Sequence, residues 1–195
     1  MKKTFISAMT SLILLSSICI ISIFAFTGED MPDIDSTKKC NLTVEVLDGT
    51  KPIEGFELSV YKVADIVVQP SHTVVYKPVS GLEGLVDYDG MTVEESKTAA
   101  KTLESKVSSI TPGKTTDESG IAKYLDLEPG MYLVVNTKRS LLASKYMTLS
   151  SFLVSVPGID KGETENTWIY DVKAVPKTAP KLIPDPYIPP MTGVE

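Results

Sequence analysis

Side chains with catalytic or metal-binding chemistry are scarce in this chain of 195 residues, which contains one histidine, His72, and two cysteines. So few ligands cannot assemble a Cys/His cluster that would hold zinc. The sequence also has no serine in a nucleophile elbow and no glycine-rich loop of the kind that binds phosphates. We therefore expect a protein that is not an enzyme and that binds no metal or cofactor, with His72 as a solvated turn residue.

The cysteine count also excludes an intrachain disulfide in the exported protein, because only one of the two cysteines would remain after export. Cys19 lies within an apolar N-terminal run that is interpreted below as an export signal, and its removal leaves Cys40 alone. A single thiol in an oxidising compartment is either buried or paired between chains. We expect Cys40 to be buried near the first strand.

Positive charge is in short supply, with 19 lysines and arginines against 25 acidic residues and a formal net charge of −6. Lys2 and Lys3 are the only charged residues among residues 1–28, so the rest of the chain carries 17 basic and 25 acidic side chains, a charge of −8. This excess argues against nucleic acid as a partner, because phosphates require a basic surface. It also argues against charge-driven binding to anionic membranes.

The N-terminus has the pattern of an export signal. The lysines of MKKT precede Phe5–Phe26, an apolar run without a charge. We predict a signal peptide over residues 1–28, followed by a linker over residues 29–40. The apolar run is also long enough to cross a bilayer as a helix, so an uncleaved anchor is the alternative.

In residues 41–177, apolar residues mostly recur at every second position, as they do in half-buried strands. The segments with this period are NLTVEVL, FELSVYKV, DIVV, TVVY, GIAKYLDL, GMYLVV, SFLVSV and TWIYDVKAV. Turns that contain glycine, proline or serine separate them. Several short strands joined by polar turns predict an all-β fold, an antiparallel sandwich that forms one domain over residues 41–177.

One segment has the helical period instead. It begins with a capping box, in which Thr92 is the N-cap and Glu95 bonds back to it. The apolar residues that follow share one helix face: Val93, Ala100, Leu103, Val107 and Ile110. We predict one inserted amphipathic helix over residues 92–110 that packs against the sandwich and ends before Pro112-Gly113.

Polar motifs that resemble binding sites are interpreted as structural. Asp87 and Asp89 are spaced as in a calcium loop, but the later ligands of that motif are missing, so we expect a turn before the helix. The acids Asp117 and Glu118 are likewise interpreted as a turn. Asn41 opens an NLT triplet of the glycosylation type and is expected to start a strand.

The C-terminal tail, residues 178–195, differs in composition from the sandwich. The stretch from Ala174 to Glu195 contains six of the thirteen prolines. Because proline fixes φ and lacks a backbone donor, this stretch should be extended and similar to polyproline II. We predict a spacer that holds its own end at a distance from the folded domain.

The order of these motifs resembles that of Cna B-type domains in the pilins of Gram-positive bacteria. Thr115–Val135 is similar to the acidic turn, strand, Pro-Gly turn and YLV strand of such domains. The predicted helix occupies the place of their helical insertion, and Ser150–Lys177 is similar to their closing strands. The resemblance covers residues 41–193 and implies an Ig-like, prealbumin-like sandwich.

The resemblance also indicates a departure from the family. Many such domains join their first and last strands by a lysine–asparagine isopeptide bond, with a buried acid that assists the reaction. Here Val46 occupies the position of the lysine and Asn136 that of the usual glutamate. We therefore expect no internal isopeptide bond.

The tail ends in a motif that resembles a sortase signal of the Leu-Pro-x-Thr-Gly type. Pro189 replaces the leucine, Pro190 is the fixed proline, and Thr192 and Gly193 form the scissile pair. In the family, an apolar helix and a basic end follow such a motif, whereas this sequence closes at Glu195. The resemblance implies that sortase cuts after Thr192 and passes the threonyl group to an amine, on peptidoglycan or on another pilin subunit.

Lys177 is the predicted crosslinking lysine. The resembled pilins use a lysine in a YPK-like motif as the acceptor, and AVPK retains the Pro-Lys pair with Val175 in place of tyrosine. An ordinary exposed lysine is the alternative. These features predict an exported structural subunit of a sortase-assembled pilus, or a wall-anchored surface protein, of the minor or basal kind. The alternative function is a secreted single-domain adhesin that binds a host or plant surface polymer.

Overall fold

The computed structural model describes residues 31–107, 113–161 and 165–180. Within these ranges one α-helix, α1 (Val93–Glu104), and one 3₁₀-helix (Ala143–Lys145) accompany the strands. The strands are β1 (Cys40–Glu45), β2 (Leu47–Asp48), β3 (Lys51–Pro52), β4 (Phe56–Val68), β5 (Val74–Pro78), β6 (Lys114–Thr115), β7 (Ile121–Leu127), β8 (Gly130–Arg139), β9 (Phe152–Val156), β10 (Gly158–Lys161), β11 (Asn166–Ile169) and β12 (Asp171–Ala174).

Two sheets dominate the fold. The larger has the order β5-β4-β8-β9. The short strand β6 pairs with Glu57 and Leu58, near the start of β4, whereas β5 pairs with the end of β4. The smaller has the order β12-β1-β7, while β10-β11 and β2-β3 form two hairpins. All pairs within the larger sheet are antiparallel. The predicted all-β sandwich with one inserted helix is therefore confirmed.

The larger sheet is covered on both faces. One face meets the smaller sheet over a cluster that includes Leu42, Phe56 and Val134. The opposite face is covered by α1 and neighbouring loops over a second cluster that includes Leu103 and Leu133. Since successive side chains of a strand point to opposite faces, a strand between two cores is buried continuously, as residues 130–135 of β8 are.

The first and last strands of the smaller sheet run parallel. The register pairs Asn41 with Asp171 and Val44 with Ala174. The chain therefore enters this sheet at one end and leaves it at the other. The distance between these ends is about 20 Å for six residues of strand at 3.3 Å each. We call them the entry end, beside Asn41, and the exit end, beside Lys177.

The helix begins where the sequence predicts and ends sooner. The Thr92 side chain accepts a hydrogen bond from the Glu95 N–H, and the Glu95 carboxylate accepts one from the Thr92 N–H, so the capping box is confirmed. The predicted end at residue 110 is wrong, because α1 stops at Glu104 with Ser105 as its C-cap. The Ser105 hydroxyl donates to the Thr102 carbonyl, which satisfies one of the terminal acceptors.

The buried face of α1 also differs from the prediction. It consists of Ser96, Ala99, Ala100 and Leu103. Val93 was expected on this face, but it is 60% exposed, so the buried face of α1 begins one turn later, at Ser96. Val107 packs against the core as expected, and Ile110 lies outside the described residues.

Two strand predictions need correction. The FELSVYKV and DIVV segments form a single strand, β4, which passes Lys62 and Ala64 with a register shift instead of a turn. The TWIYDVKAV segment is divided at Tyr170 into β11 and β12, which belong to different sheets. No helix among the described residues has the length and hydropathy needed to span a membrane.

Candidate functional site

Lys177 lies at the exit end, and its backbone is held in place. It forms an isolated parallel bridge with Leu47, and the Thr178 hydroxyl donates to the Leu47 carbonyl. Pro176 is buried, whereas Lys177 itself is exposed. Among the ion pairs of the described residues, Lys177 has no partner. A fixed backbone with an exposed amine is a suitable geometry for an acceptor lysine.

The first tail residues are also attached to the domain. The Met147 N–H donates to the Ala179 carbonyl at 3.0 Å, and Pro180 forms an antiparallel bridge with Tyr146. The Arg139 guanidinium in turn donates to the Tyr146 carbonyl at 2.6 Å. The predicted sorting residues, Pro189, Pro190, Thr192 and Gly193, lie outside the described residues, as does the predicted signal peptide.

The entry end has a feature that the sequence did not reveal. Residues 31–39, which were predicted as part of a linker, lie against the domain, and we call them the N-terminal strap. Met31 is fully buried in the same cluster as Leu103, and Ile34 packs against that cluster. The apolar Met31 and Ile34 within the polar stretch GEDMPDIDSTKK were the available signal for this packing.

Three ring side chains hold the strap. The His72 Nδ1 lies 3.0 Å from the Met31 carbonyl and acts as the donor, and the Trp168 Nε1–H donates to the Pro32 carbonyl at 2.8 Å. The Tyr170 hydroxyl accepts a hydrogen bond from the Asp35 N–H at 3.1 Å. The expected turn position of His72 is confirmed, since its N–H donates to the Gln69 carbonyl in the β4–β5 hairpin.

A local turn shapes the end of the strap. The Asp35 carboxylate accepts hydrogen bonds from the hydroxyl and the N–H of Thr37, which lower the pKa of that carboxyl. The ammonium group of Lys38 lies 4.0 Å from the centroid of the Tyr170 ring, a cation–π contact. The strap thus reaches β1 in a fixed path, and no ligand is required to explain it.

The other polar motifs are structural. Cys40 is buried on β1 as expected, and burial raises the pKa of its thiol. The Asp87 carboxylate accepts from the Asp89 N–H, and Asp117 accepts from the N–H groups of Ser119 and Ile121, so both motifs are turns. No group of three potential metal ligands occurs in the part of the chain that the structure describes.

The positions expected to replace an isopeptide site carry no reactive pair. Val46 is fully buried, and its N–H donates to the Gly120 carbonyl. The side-chain amide of Asn136 donates to the carbonyls of Glu57 and Lys138. On the last strand, Ala174 is fully buried and pairs in register with the buried Val44, so this pair offers two apolar side chains and no reactive group.

We therefore predict that the purified domain has the mass of its sequence. A lysine–asparagine bond would release one molecule of ammonia and so lower the intact mass by about 17 Da. Intact-mass spectrometry of the denatured protein measures this directly. The Lys173 ammonium lies 2.6 Å from the Glu45 carboxylate across β12 and β1, so Lys173→Ala is the control variant. A lysine–glutamate bond at this pair would instead release water and lower the mass by about 18 Da. A deficit of either size would contradict the prediction, and a deficit of about 18 Da that disappears in Lys173→Ala would place the bond at this pair.

Comparison with solved structures finds pilins. The chain is similar to the full-length major pilin SpaD of Corynebacterium diphtheriae, with 22% identity and a TM-score of 0.49, over 76% of this chain and 32% of SpaD. It is similar to SpaA of the same organism in a complex with a pilin signal peptide, at 21% identity and a TM-score of 0.41, over 74% and 99% of the two chains. It is also similar to the SpaB basal pilin of Lactobacillus rhamnosus GG, at 16% identity and a TM-score of 0.40, over 71% and 95%.

The matched region is a different fraction of each of these pilin chains. This chain spans about a third of the length of SpaD. No family model and no curated protein matches the sequence. Solved pilins of Gram-positive bacteria are thus among the structures that the chain resembles, as its sequence predicted.

Proposed function

We propose that this chain is an exported subunit of a sortase-assembled pilus, or a wall-anchored surface protein, attached through the carbonyl of Thr192. The parallel pairing of β1 and β12 carries this proposal, because it directs the N-terminal strap and the C-terminal tail toward opposite ends of the domain. A subunit that transmits tension, or that extends away from a wall, requires its two connections at opposite ends. The location that follows is the cell surface.

The chemistry of attachment belongs to the sortase. Its cysteine attacks the Thr192 carbonyl, the Thr192–Gly193 bond breaks with Gly193 leaving as an amine, and a thioester forms. An amine of peptidoglycan or of another pilin subunit then displaces the cysteine and forms an amide. This chain contributes the substrate, and the twelve residues that follow Pro180, up to Thr192, would span about 37 Å at 3.1 Å per residue of polyproline II.

Lys177 is the amine that the chain would use if it were a shaft subunit. Its exposure, next to the buried Pro176 and on a backbone that is bridged to Leu47, supports this use. A basal or minor subunit needs the threonine end alone, whereas a shaft subunit uses both Thr192 and Lys177. We favour the minor or basal kind, because the sorting motif retains its proline, threonine and glycine, whereas the motif around Lys177 has Val175 in place of tyrosine.

Cleavage by a matching sortase tests the proposal. Residues 29–195, incubated with the enzyme and an amine nucleophile, should yield a product that ends at Thr192. Thr192→Ala and Pro190→Ala should abolish this product, because one removes the acyl residue and the other the kink that admits the bond to the cleft. Mass spectrometry of the product identifies the bond, and normal transfer in Thr192→Ala would refute the proposal.

A lysine variant separates the two kinds of subunit. Lys177→Ala should leave the cleavage after Thr192 unchanged, because the lysine acts only as acceptor. Lys145→Ala, an exposed lysine elsewhere at the exit end, is the matched control. Loss of multimer ladders in Lys177→Ala alone would identify a shaft subunit and contradict the basal assignment.

The adhesin alternative lacks its expected feature. A sheet face that binds polymers would present a row of exposed aromatic residues. In the described ranges the largely exposed hydrophobic side chains are Val93, Leu125, Leu141, Leu142, Met147 and Ile169, none of which is aromatic. Binding of a host or plant polymer therefore takes second place to a structural role.

A further inference from the structure

An apolar patch lies at the exit end, between β8 and β9. Its members are Leu141, Leu142 and Met147, whose exposed fractions are 87%, 55% and 57%. Three large apolar side chains exposed within seven residues form an unusual surface for a soluble domain. Such a cluster indicates a contact with another segment.

The backbone that carries the patch is fixed. The Ser140 N–H donates to the Gly55 carbonyl at 2.7 Å, and the Ser144 N–H donates to the Ser140 carbonyl. Between the exposed leucines and Met147, Ala143 is fully buried in the core. The patch is therefore a preformed surface, so a segment that binds it does not have to order the loop.

The tail starts on this segment and runs in the opposite direction to it. Ala179 is hydrogen-bonded to Met147, and Pro180 is paired antiparallel with Tyr146. On the other side of Tyr146, the segment continues into the 3₁₀ turn Ala143–Lys145 and the two leucines that precede this turn. The leucines are therefore the nearest exposed apolar side chains on the side of Tyr146 away from Met147 in the sequence.

The next residues of the tail suit the patch in chemistry and in reach. The sequence continues Lys181-Leu182-Ile183-Pro184, with two adjacent aliphatic side chains. In extended chain, Leu182 and Ile183 would lie about 7–10 Å beyond Pro180. The four residues from Tyr146 back to Leu142 correspond to about 8 Å at 2 Å per residue of 3₁₀ helix. The tail is therefore long enough for these two residues to reach the leucines.

We propose that Leu182 and Ile183 of the same chain pack on the apolar patch, so that the free spacer begins at residue 185. Because these residues are covalently attached to the domain at Pro180, their local concentration at the patch is in the millimolar range. Binding of the chain's own tail is therefore favoured over binding of a second copy of the protein. The remaining eight residues to Thr192 would span about 25 Å as polyproline II. This docking does not depend on whether the tail is a sortase substrate.

Trypsin cleavage after Lys181 tests the docking without altering the tail. In residues 29–195, the double variant Leu141→Ser/Leu142→Ser should be cut after Lys181 about tenfold faster than the parent, because a docked segment must open before it is cleaved. The control is Leu125→Ser, a leucine of similar exposure (59%) on β7, which should not change the rate. Equal rates in the parent and the double variant would overturn the proposal.

Amide NMR supplies an independent readout. Leu182→Ser/Ile183→Ser should shift the amide signals of Leu141 and Leu142, whereas Ile188→Ser, an equivalent change further along the tail, should not. Shifts that grow with protein concentration, together with a dimer in sedimentation, would assign the patch to a second copy and refute intrachain docking. Cleavage after Thr192 should be unchanged in the patch variants, so this proposal and the sortase proposal fail separately.

Discussion

Replacing Met31 by alanine is expected to destabilise the domain by about 2–5 kcal/mol, the usual cost of deleting a large core side chain. The reason is its complete burial in the cluster that also contains Leu103 and Leu133. The free energy of unfolding from urea titration measures this loss. Trp168 is the only tryptophan of the chain, and its indole N–H donates to the Pro32 carbonyl. Its fluorescence should therefore shift to longer wavelength when the strap is released.

The chain offers a matched control. Leu125 is more than half exposed and lies outside the apolar patch, so Leu125→Ala should change the stability by less than about 0.5 kcal/mol, as surface substitutions do. A stability loss in Met31→Ala no larger than that in Leu125→Ala would show that the strap is a linker, as its sequence predicted. Loss of stability without a change in Trp168 emission would show that Met31 contributes to the core while Pro32 stays in place.

A docked strap has a mechanical consequence for the proposed subunit. Tension applied at the N-terminus reaches the strap before it reaches β1, and the strap is held through His72, Trp168 and Tyr170. These residues come from the β4–β5 hairpin and from the region of β11 and β12, so the load is distributed over both sheets. If the predicted absence of an internal crosslink holds, this distribution supplements the β1–β12 pair in resisting mechanical unfolding.

Local chemistry accounts for what the sequence predicted correctly. The capping box of α1 depends on Thr92 and Glu95 alone, so four residues suffice to locate the helix start. The alternation in β1 and β7 reflects one buried face in each strand, which a period of two reports directly. The burial of Cys40 followed from its place beside that alternation.

Long-range packing accounts for what the sequence did not reveal. The register shift near Lys62 lets β4 continue through the point where its alternation changes, and its partner there is β8, about seventy residues later. The parallel pairing of β1 with β12 joins segments that no local motif connects. Met31 packs in a cluster with residues far along the chain such as Leu103, and His72 and Trp168 bind the carbonyls of Met31 and Pro32. None of these contacts is encoded within a short window of sequence.

The second large effect is expected at Gly120, in the turn that joins Asp117 to β7. Gly120 has φ +72°, and a Cβ there would lie 2.5 Å from the Val46 carbonyl oxygen and 3.0 Å from the Ile53 nitrogen. Both atoms belong to the backbone and are joined by a hydrogen bond, in which the Ile53 N–H donates to the Val46 carbonyl. Gly120→Ala should therefore cost about 2–5 kcal/mol, from left-handed strain together with overpacking.

Gly90→Ala separates the two causes. Gly90 also has positive φ, +64°, but a Cβ added there would have no atom within 4 Å, so only the backbone strain of about 1–2 kcal/mol applies. Urea unfolding of both variants gives the difference, and equal losses would show that the turn yields without disturbing β1. If the difference is as expected, the disturbance falls on Val46 and its neighbour Leu47, which is bridged to Lys177. Hydrogen exchange at Leu47 and Lys177 should then rise in Gly120→Ala and stay unchanged in Gly90→Ala, because Gly120 is hydrogen-bonded to Val46, which directly precedes the Leu47 that is bridged to Lys177.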